Sequence, residues 1–382
     1  MHGDALVVRE LGGQRGYLCK QFMTHTTALI MRRSFPKVLA AGLCLVGASH
    51  EARAQTYRVA PGVRIRAMAA DAANKVGDIE AAVQLSGGTY VIADNANNQL
   101  HFYSANGRFI RTAGRRGAGP GEFEAVRWLG ECSRDSVYAF DFLQNRISVF
   151  ALDGTFVRSF SPPAALVGFV RCTLDGTMLY IASGGTSGLT RRGVIQTSEN
   201  TGKLLYRTPE LLLDEGRPLG NSIKVAIAPE GLAYGNGDSA FVTTISVRGE
   251  APHRLPAGIA SREPTDANRK AALEYWARVT NGTEYDYEQM RIVIRKLPPV
   301  KTLPAYTDLF IDNITKALWV KTSTLGDPST ILERRGLDGA MQGTATLPPG
   351  LDIQQIRGDF LLAIAADVKT GQRVLVTYRL LR

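Results

Sequence analysis

Residues 94–112 read DNANNQLHFYSANGRFIRT, and residues 141–159, which lie 47 positions further on, read DFLQNRISVFALDGTFVRS. Both stretches begin with an aspartate four residues before an asparagine, and both continue into an apolar strand, an N-G or D-G turn and a second strand. A repeat of about 40 to 50 residues built from short strands is typical of one blade of a β-propeller. The repeat therefore predicts an all-β propeller.

The strand pattern continues along the chain and predicts six blades. N-G and D-G pairs favour tight hairpins because both positions tolerate a positive φ. The predicted blades cover residues 78–112, 126–160, 167–207, 223–255, 306–347 and 352–381. A further strand at 57–68 precedes the first blade, and we expect it to complete the last one, since closure hides unpaired strand edges. The predicted propeller therefore spans residues 55–382.

A short insertion at residues 261–297 interrupts the strand pattern between blades four and five. Within it, Leu273 and Trp276 recur at helical spacing along 263–279, with polar residues between them. Residues 285–296 are predicted to form a second helix. Trp276 either packs the first helix onto the blades or stacks on a ligand from a lid over the channel.

Residues 1–54 have the composition of an export leader. From Met31, a basic stretch is followed by an apolar run of 11 residues and by an A-x-A site that ends at Ala54. Translation from Met31 gives the usual signal-peptide layout, and we expect cleavage after Ala54. The arginine pair at 32–33 leaves the twin-arginine and general secretory routes open. Since no apolar run reaches the length of a membrane span, we predict a periplasmic or extracellular protein without a transmembrane segment.

The charge of the mature chain argues against nucleic acid as a partner. The leader holds seven Lys and Arg against three Asp and Glu, which leaves the mature chain near +6 of the total +10. These charges are spread along the chain without a run of like sign. A nucleic-acid-binding surface requires a concentrated basic stripe.

Two cysteines remain after removal of the leader. Cys132 and Cys172 occupy corresponding places in consecutive predicted blades, each just before a turn and a strand. In an oxidising compartment this placement predicts a disulfide between them. The alternative is a pair of buried free thiols.

Residues 78–160 resemble the NHL-like six-bladed propellers. The likeness rests on Asp141, Asn145 and the strand that follows them, and on the linker 117–123, which reads GAGPGEF. The resemblance implies a six-bladed ring of exported bacterial type. It does not imply one activity, because this fold hosts lyases, lactonases and binding modules without catalysis.

Several polar residues are predicted to share one rim of the central channel. The turn between the second and third strands of a blade and the crossover to the next blade lie on the same face of a propeller. We therefore predict a ligand-binding site from Asp94, Arg115, Arg116, Glu122, Arg127 and Asp141, with Trp276 added by the insertion. A structural alternative exists, since aspartates in such turns commonly hydrogen-bond the local backbone. The glycine-rich linker lacks the G-K-S/T of a phosphate loop.

The sequence favours a binding or scaffolding module over an enzyme. We expect a monomer without a cofactor that binds a protein, a peptide or a glycan. The alternative is a lactonase-like, metal-dependent hydrolase or lyase that holds a divalent cation such as Ca²⁺ through Asp94, Asp141 and Asp312. G-x-S-x-G is absent, and the mature chain has only two histidines, His101 and His253. A structural subunit of an envelope assembly is a third possibility, marked by an exposed apolar patch.

Overall fold

The computed structural model describes most of the predicted propeller. The described residues are 54–66, 76–134, 136–162, 167–184, 190–198, 204–207, 211–213, 219, 223–228, 231–246, 252–279, 292, 300–367 and 372–382. The predicted leader before Ala54 and, except for Ile292, the predicted second helix lie outside them. The side chain of Trp276 also lies outside the described part.

The first half of the described chain forms an N-terminal strand and three blades, with two short strands in a linker. The strand β1 spans Gln55–Arg66. Blade one contains β2 (Ile79–Gln84), β3 (Tyr90–Asp94), β4 (Gln99–Tyr103) and β5 (Phe109–Ala113). The linker contains β6 (Arg115–Arg116) and β7 (Glu122–Phe123), and blade two contains β8 (Val126–Ser133), β9 (Ser136–Asp141), β10 (Arg146–Ala151) and β11 (Phe156–Phe160). Blade three contains β12 (Val167–Cys172), β13 (Thr177–Gly184), β14 (Thr190–Ser198), β15 (Leu204–Arg207) and β16 (Leu211–Leu213).

The second half forms three more blades and a helix. Blade four contains β17 (Lys224–Ala228), β18 (Gly231–Gly235), β19 (Phe241–Ser246) and β20 (His253–Pro256), and the helix α1 spans Asp266–Val279. Blade five contains β21 (Asp308–Asp312), β22 (Ala317–Lys321), β23 (Thr330–Gly336) and β24 (Met341–Leu347). Blade six contains β25 (Asp352–Arg357), β26 (Phe360–Ala366) and β27 (Arg373–Leu381). The six predicted blades and the position of the helix between blades four and five are confirmed.

The first strands of the six blades form a closed ring around the channel. Each of these strands contacts the next one around the ring, in the order β2, β8, β12, β17, β21 and β25, and β25 contacts β2. In a propeller these inner strands run in the same direction. We call the side on which they begin the start face and the opposite side the end face.

The strand β1 closes the ring. Its first three residues pair in parallel with β24 of blade five. Its remaining residues, from Arg58 to Arg66, pair antiparallel with β27 and supply the outer strand of blade six. This pairing confirms the predicted closure and removes an open sheet edge at the junction.

Apolar side chains pack between neighbouring sheets. Between blades five and six, Trp319 is 1% exposed and its ring lies 5.4 Å from that of Tyr57. Between blades two and three, Cys132 and Cys172 form a disulfide that joins β8 to β12, as predicted. Each interface is therefore sealed by large buried side chains, and one of them is also linked covalently.

The helix α1 is anchored at its N-terminus to blade five. Thr265 caps the helix, because its hydroxyl accepts a hydrogen bond from the Asn268 backbone N–H at 3.2 Å. The buried Asn268 side chain donates to the Leu325 carbonyl at 2.7 Å and to Asp327 at 3.0 Å. Both acceptors lie between β22 and β23, in a loop on the start face. The helix therefore begins on the start face, where the inner strands also begin.

Candidate functional site

Asp94 is buried and holds a turn together. Its carboxylate accepts hydrogen bonds from the backbone N–H groups of Gly77 (2.9 Å), Asp78 (3.0 Å) and Ala96 (3.0 Å). His101 Nε2 lies 3.2 Å from the same carboxylate. Burial opposes ionisation, but the hydrogen bonds from His101 and from the backbone of Asp78 and Gly77 hold the pKa of Asp94 well below its usual value. Asp94 therefore ties the turn after β3 to the entry of β2.

Asp141 repeats this arrangement in blade two, whereas Asp312 lies elsewhere. Asp141 accepts from the backbone N–H groups of Glu124 (2.6 Å) and Ala125 (3.2 Å), directly before β8. Asp312 accepts from Gly358, in the turn between β25 and β26. It ends the first strand of its blade, so it lies on the end face, while Asp94 and Asp141 end second strands on the start face.

The three aspartates considered as cation ligands therefore do not converge. Among the described residues, no group of three His, Cys, Asp or Glu side chains is arranged to hold a metal ion. The carboxylates of Asp94 and Asp141 face backbone N–H donors instead.

The glycine-rich linker is held by its own contacts. Arg115 and Glu122 form an ion pair at 2.7 Å, and Glu122 also accepts from the Gly119 N–H at 2.8 Å. Arg146 donates to the carbonyls of Ala118, Gly119 and Glu122 at 2.8 to 2.9 Å. Gly117 has φ 149°, and a Cβ atom at that position would meet the Glu122 carboxylate at 2.2 Å. The linker is a folded crossover, and Arg116 is exposed on it.

Arg127 belongs to a charged network at the mouth of the channel. Its guanidinium lies 2.9 Å from Glu80, and Arg373 lies 2.8 Å from the other oxygen of Glu80. Arg373 also lies 3.2 Å from Asp352. We call these four residues the mouth network. They join blades two, one and six on the start face.

Four further charged residues come from blades three, four and five, and each interacts electrostatically with the mouth network or with another of the four. We call Arg171, Lys224, Asp308 and Lys321 the inner charges. The Lys321 ammonium donates to the Leu351 carbonyl at 2.8 Å. Burial lowers the pKa of Lys321, and Asp308 and Asp352 oppose that effect. Burial likewise lowers the pKa of Arg171 to about 10, while Asp308 and Asp352 act to raise it. Every blade therefore contributes a charged side chain to the channel.

Asp352 is the more exposed of the two carboxylates in the mouth network. Its side chain is 54% exposed. Nevertheless, the surrounding protein raises the pKa of Asp352 by desolvation, while Arg373 and Lys321 act in the opposite direction.

Aromatic and apolar side chains flank the mouth network. Tyr275 of α1 is 49% exposed, and its pKa is raised by burial and by the charges of Asp352 and Glu80, against Arg373 and Arg127. Phe142, in the turn after β9, is 44% exposed, and the Arg127 guanidinium lies 5.7 Å from its ring. The helix therefore carries its tyrosine to the mouth of the channel.

Of the predicted site residues whose side chains the structure describes, only Arg127 belongs to the mouth network. Arg115, Arg116 and Glu122 lie in the linker, and Asp94 and Asp141 lie in turns. Glu80, Asp352 and Arg373 were not predicted. The sequence did contain a pattern that points to part of the mouth network. Five of the six inner strands have a charged residue at their first or second position: Glu80, Arg127, Lys224, Asp308 and Asp352.

The comparisons with known proteins agree with this architecture. A family model described as a 6-bladed beta-propeller matches residues 71–209. A solved structure from Bacteroides fragilis, described as an exported protein, shares 12% identity at a TM-score of 0.52, covering 85% of this chain and 96% of its own. A member of the DUF4221 family from Bacteroides vulgatus shares 9% identity at a TM-score of 0.50, covering 85% and 97%. No curated protein matches the chain. The protein is a six-bladed β-propeller.

Proposed function

We propose that this protein is an exported, non-catalytic binding module, and that it binds its peptide, glycan or protein ligand at the channel mouth on the start face. The observation that carries the proposal is the mouth network. It offers both donors and acceptors to a ligand, because the side chains of Arg127 and Asp352 are 49% and 54% exposed. Tyr275 and Phe142 add apolar surface beside it.

The pairing within the mouth network favours binding over catalysis. Glu80 is held by two guanidinium groups, which fix a carboxylate as a hydrogen-bond acceptor. A general base must instead be free to take a proton from its substrate. The proposed role of these side chains is recognition.

Export is supported by two independent features of the chain. The leader pattern before Ala54 has the basic, apolar and cleavage regions of a signal peptide. The disulfide between Cys132 and Cys172 suits an oxidising compartment. In the part of the chain that the structure describes, no helix is both long and apolar enough to cross a membrane.

The proposal is tested with a panel of glycans and peptides on protein that begins at Gln55. For ligands that bind, Arg127→Ala and Tyr275→Ala are each expected to weaken binding about tenfold, because each removes a group at the mouth. Arg115→Ala is the matched control, since it removes the same charge from the same face but from the linker. The bound ligand should be recovered unchanged.

Two outcomes would overturn the proposal. If Arg115→Ala weakens binding as much as Arg127→Ala does, the channel mouth is not the site. If the bound ligand is converted to a product, the protein is an enzyme.

A further inference from the structure

The charges that line the channel are unequal in number. Among the described residues, five cationic side chains stand against three carboxylates: Arg127, Arg171, Lys224, Lys321 and Arg373 against Glu80, Asp308 and Asp352. Every one of these groups interacts with another member of the set. These eight residues therefore carry two more positive than negative charges.

The excess lies among the inner charges. The mouth network is balanced, with two guanidinium groups and two carboxylates. The inner charges comprise three cations and the single carboxylate Asp308. Lys321 lies opposite Asp308 in the β21–β22 ladder, and the positive charge of Lys224 is near enough to lower the pKa of Lys321. Like charges within a protein-walled channel create a positive potential that attracts an anion.

The mouth network beside these cations presents groups that suit a sugar. Sugar hydroxyls both donate and accept hydrogen bonds, and the mouth network presents guanidinium donors beside carboxylate acceptors. The exposed rings of Tyr275 and Phe142 offer apolar faces on which a pyranose ring can lie. An extended acidic peptide could pair with the cations, but its other negative charges would then face the carboxylates of the mouth network.

We propose that the channel binds an acidic glycan, with an anionic group of the sugar, a carboxylate or a sulfate, directed at Lys224 and Lys321 and the sugar ring against Tyr275. This inference rests on the proposed function, because it assigns a ligand class to the same site.

The inference is tested by calorimetric titration of protein beginning at Gln55. The probes are oligogalacturonate, oligoalginate and chondroitin sulfate, with methyl-esterified oligogalacturonate as an uncharged control and poly-glutamate as an acidic peptide. At least one acidic glycan should bind, and more weakly as salt is raised. If the binder is oligogalacturonate, its methyl ester should bind about tenfold more weakly, since it lacks the charge.

Variants separate this inference from the proposed function. Lys224→Met should weaken binding of the acidic glycan about tenfold, and Lys321→Met provides a second test. Lys316→Asn is the matched control, because it removes a lysine charge from a turn on the end face. The backbone should accept asparagine there, since Lys316 has φ 53° and Asn98 and Asn145 end similar turns with φ values of 54° and 45°. It should leave binding unchanged.

Several results would overturn the inference. Binding that survives Lys224→Met and Lys321→Met but is lost in Arg127→Ala would leave the mouth site standing and remove the anion-binding role. Binding of the methyl ester as tight as that of the free acid would do the same. Binding of poly-glutamate alone would exclude a glycan ligand. If no acidic glycan binds while a neutral ligand does, only the inference fails.

Discussion

At the scale of single residues, the recurring aspartate of the repeat is a structural group. Asp94 and Asp141 each satisfy backbone N–H groups at the entry of an inner strand. The asparagines four positions later, Asn98 and Asn145, have φ values of 54° and 45°. Asparagine tolerates this left-handed region better than most residues do. The pattern in the sequence therefore encodes a turn and its attachment to the neighbouring crossover.

Replacing Asp94 should destabilise the propeller. In Asp94→Asn, one acceptor oxygen becomes an NH₂ donor that faces the N–H group of Gly77 or that of Asp78, because these two groups donate to different oxygens. We expect the free energy of unfolding to fall by about 2 to 4 kcal/mol, because buried donors lose charged partners. Denaturant titration measures the change. Asp359→Asn is the control, since Asp359 is 56% exposed in an ion pair with Arg379 and should cost at most about 1 kcal/mol. Equal losses in the two variants would contradict this role.

The lowered pKa of Asp94 also predicts a dependence of stability on pH. A carboxyl with a lower pKa in the folded state than in the unfolded state stabilises the protein fully above its unfolded pKa, which is about 4. That contribution is lost as the pH falls toward the folded pKa. The difference in melting temperature between the wild type and Asp94→Asn should therefore shrink when the pH is lowered from about 7 to about 3. A difference that stays constant would show that Asp94 does not carry this linkage.

At the scale of elements, the disulfide joins two blades at their inner strands. Cys132 ends up next to Cys172 because consecutive blades place corresponding residues side by side, and the two are 40 positions apart in the chain. The cross-link restricts the unfolded chain, which is the main way in which disulfides stabilise.

Removing the disulfide should lower stability without changing the fold. For Cys132→Ala with Cys172→Ala, we expect a loss of about 2 to 4 kcal/mol in the free energy of unfolding and a lower melting temperature. Adding a reductant to the wild type should have a similar effect. The double variant is the control, because its melting temperature should not respond to the reductant. An unchanged melting temperature in the double variant would contradict the stabilising role.

Local patterns predicted the strands well, but they did not show which polar side chains share a face. The apolar stretches and turn pairs marked all six blades, and β1 was expected to close the ring. A four-residue turn follows each of the three aspartates considered as cation ligands, Asp94, Asp141 and Asp312. That turn follows the first strand in blade five and the second strand in blades one and two. Asp312 therefore lies on the opposite face from Asp94 and Asp141.

At the scale of the whole molecule, the candidate site exists only because the ring is closed. Glu80 and Arg373 are separated by 293 positions and meet at 2.8 Å. Arg127 was predictable, since it follows the linker and enters an inner strand. Its partners were not, because their side chains come together only when the last blade returns to the first. The helix α1 adds Tyr275 to this mouth from a segment outside the blade pattern.

The most direct test of the channel-mouth site is hydrogen–deuterium exchange with and without the tightest binder of the glycan and peptide panel. We expect slower exchange in α1 and at the starts of β2, β8 and β27. These segments carry Tyr275, Glu80, Arg127 and Arg373. Protection confined to the groove lined by Ser104, Asn106 and Ile110, in the outer turn of blade one, or to the turns of the end face would contradict a site at the channel mouth.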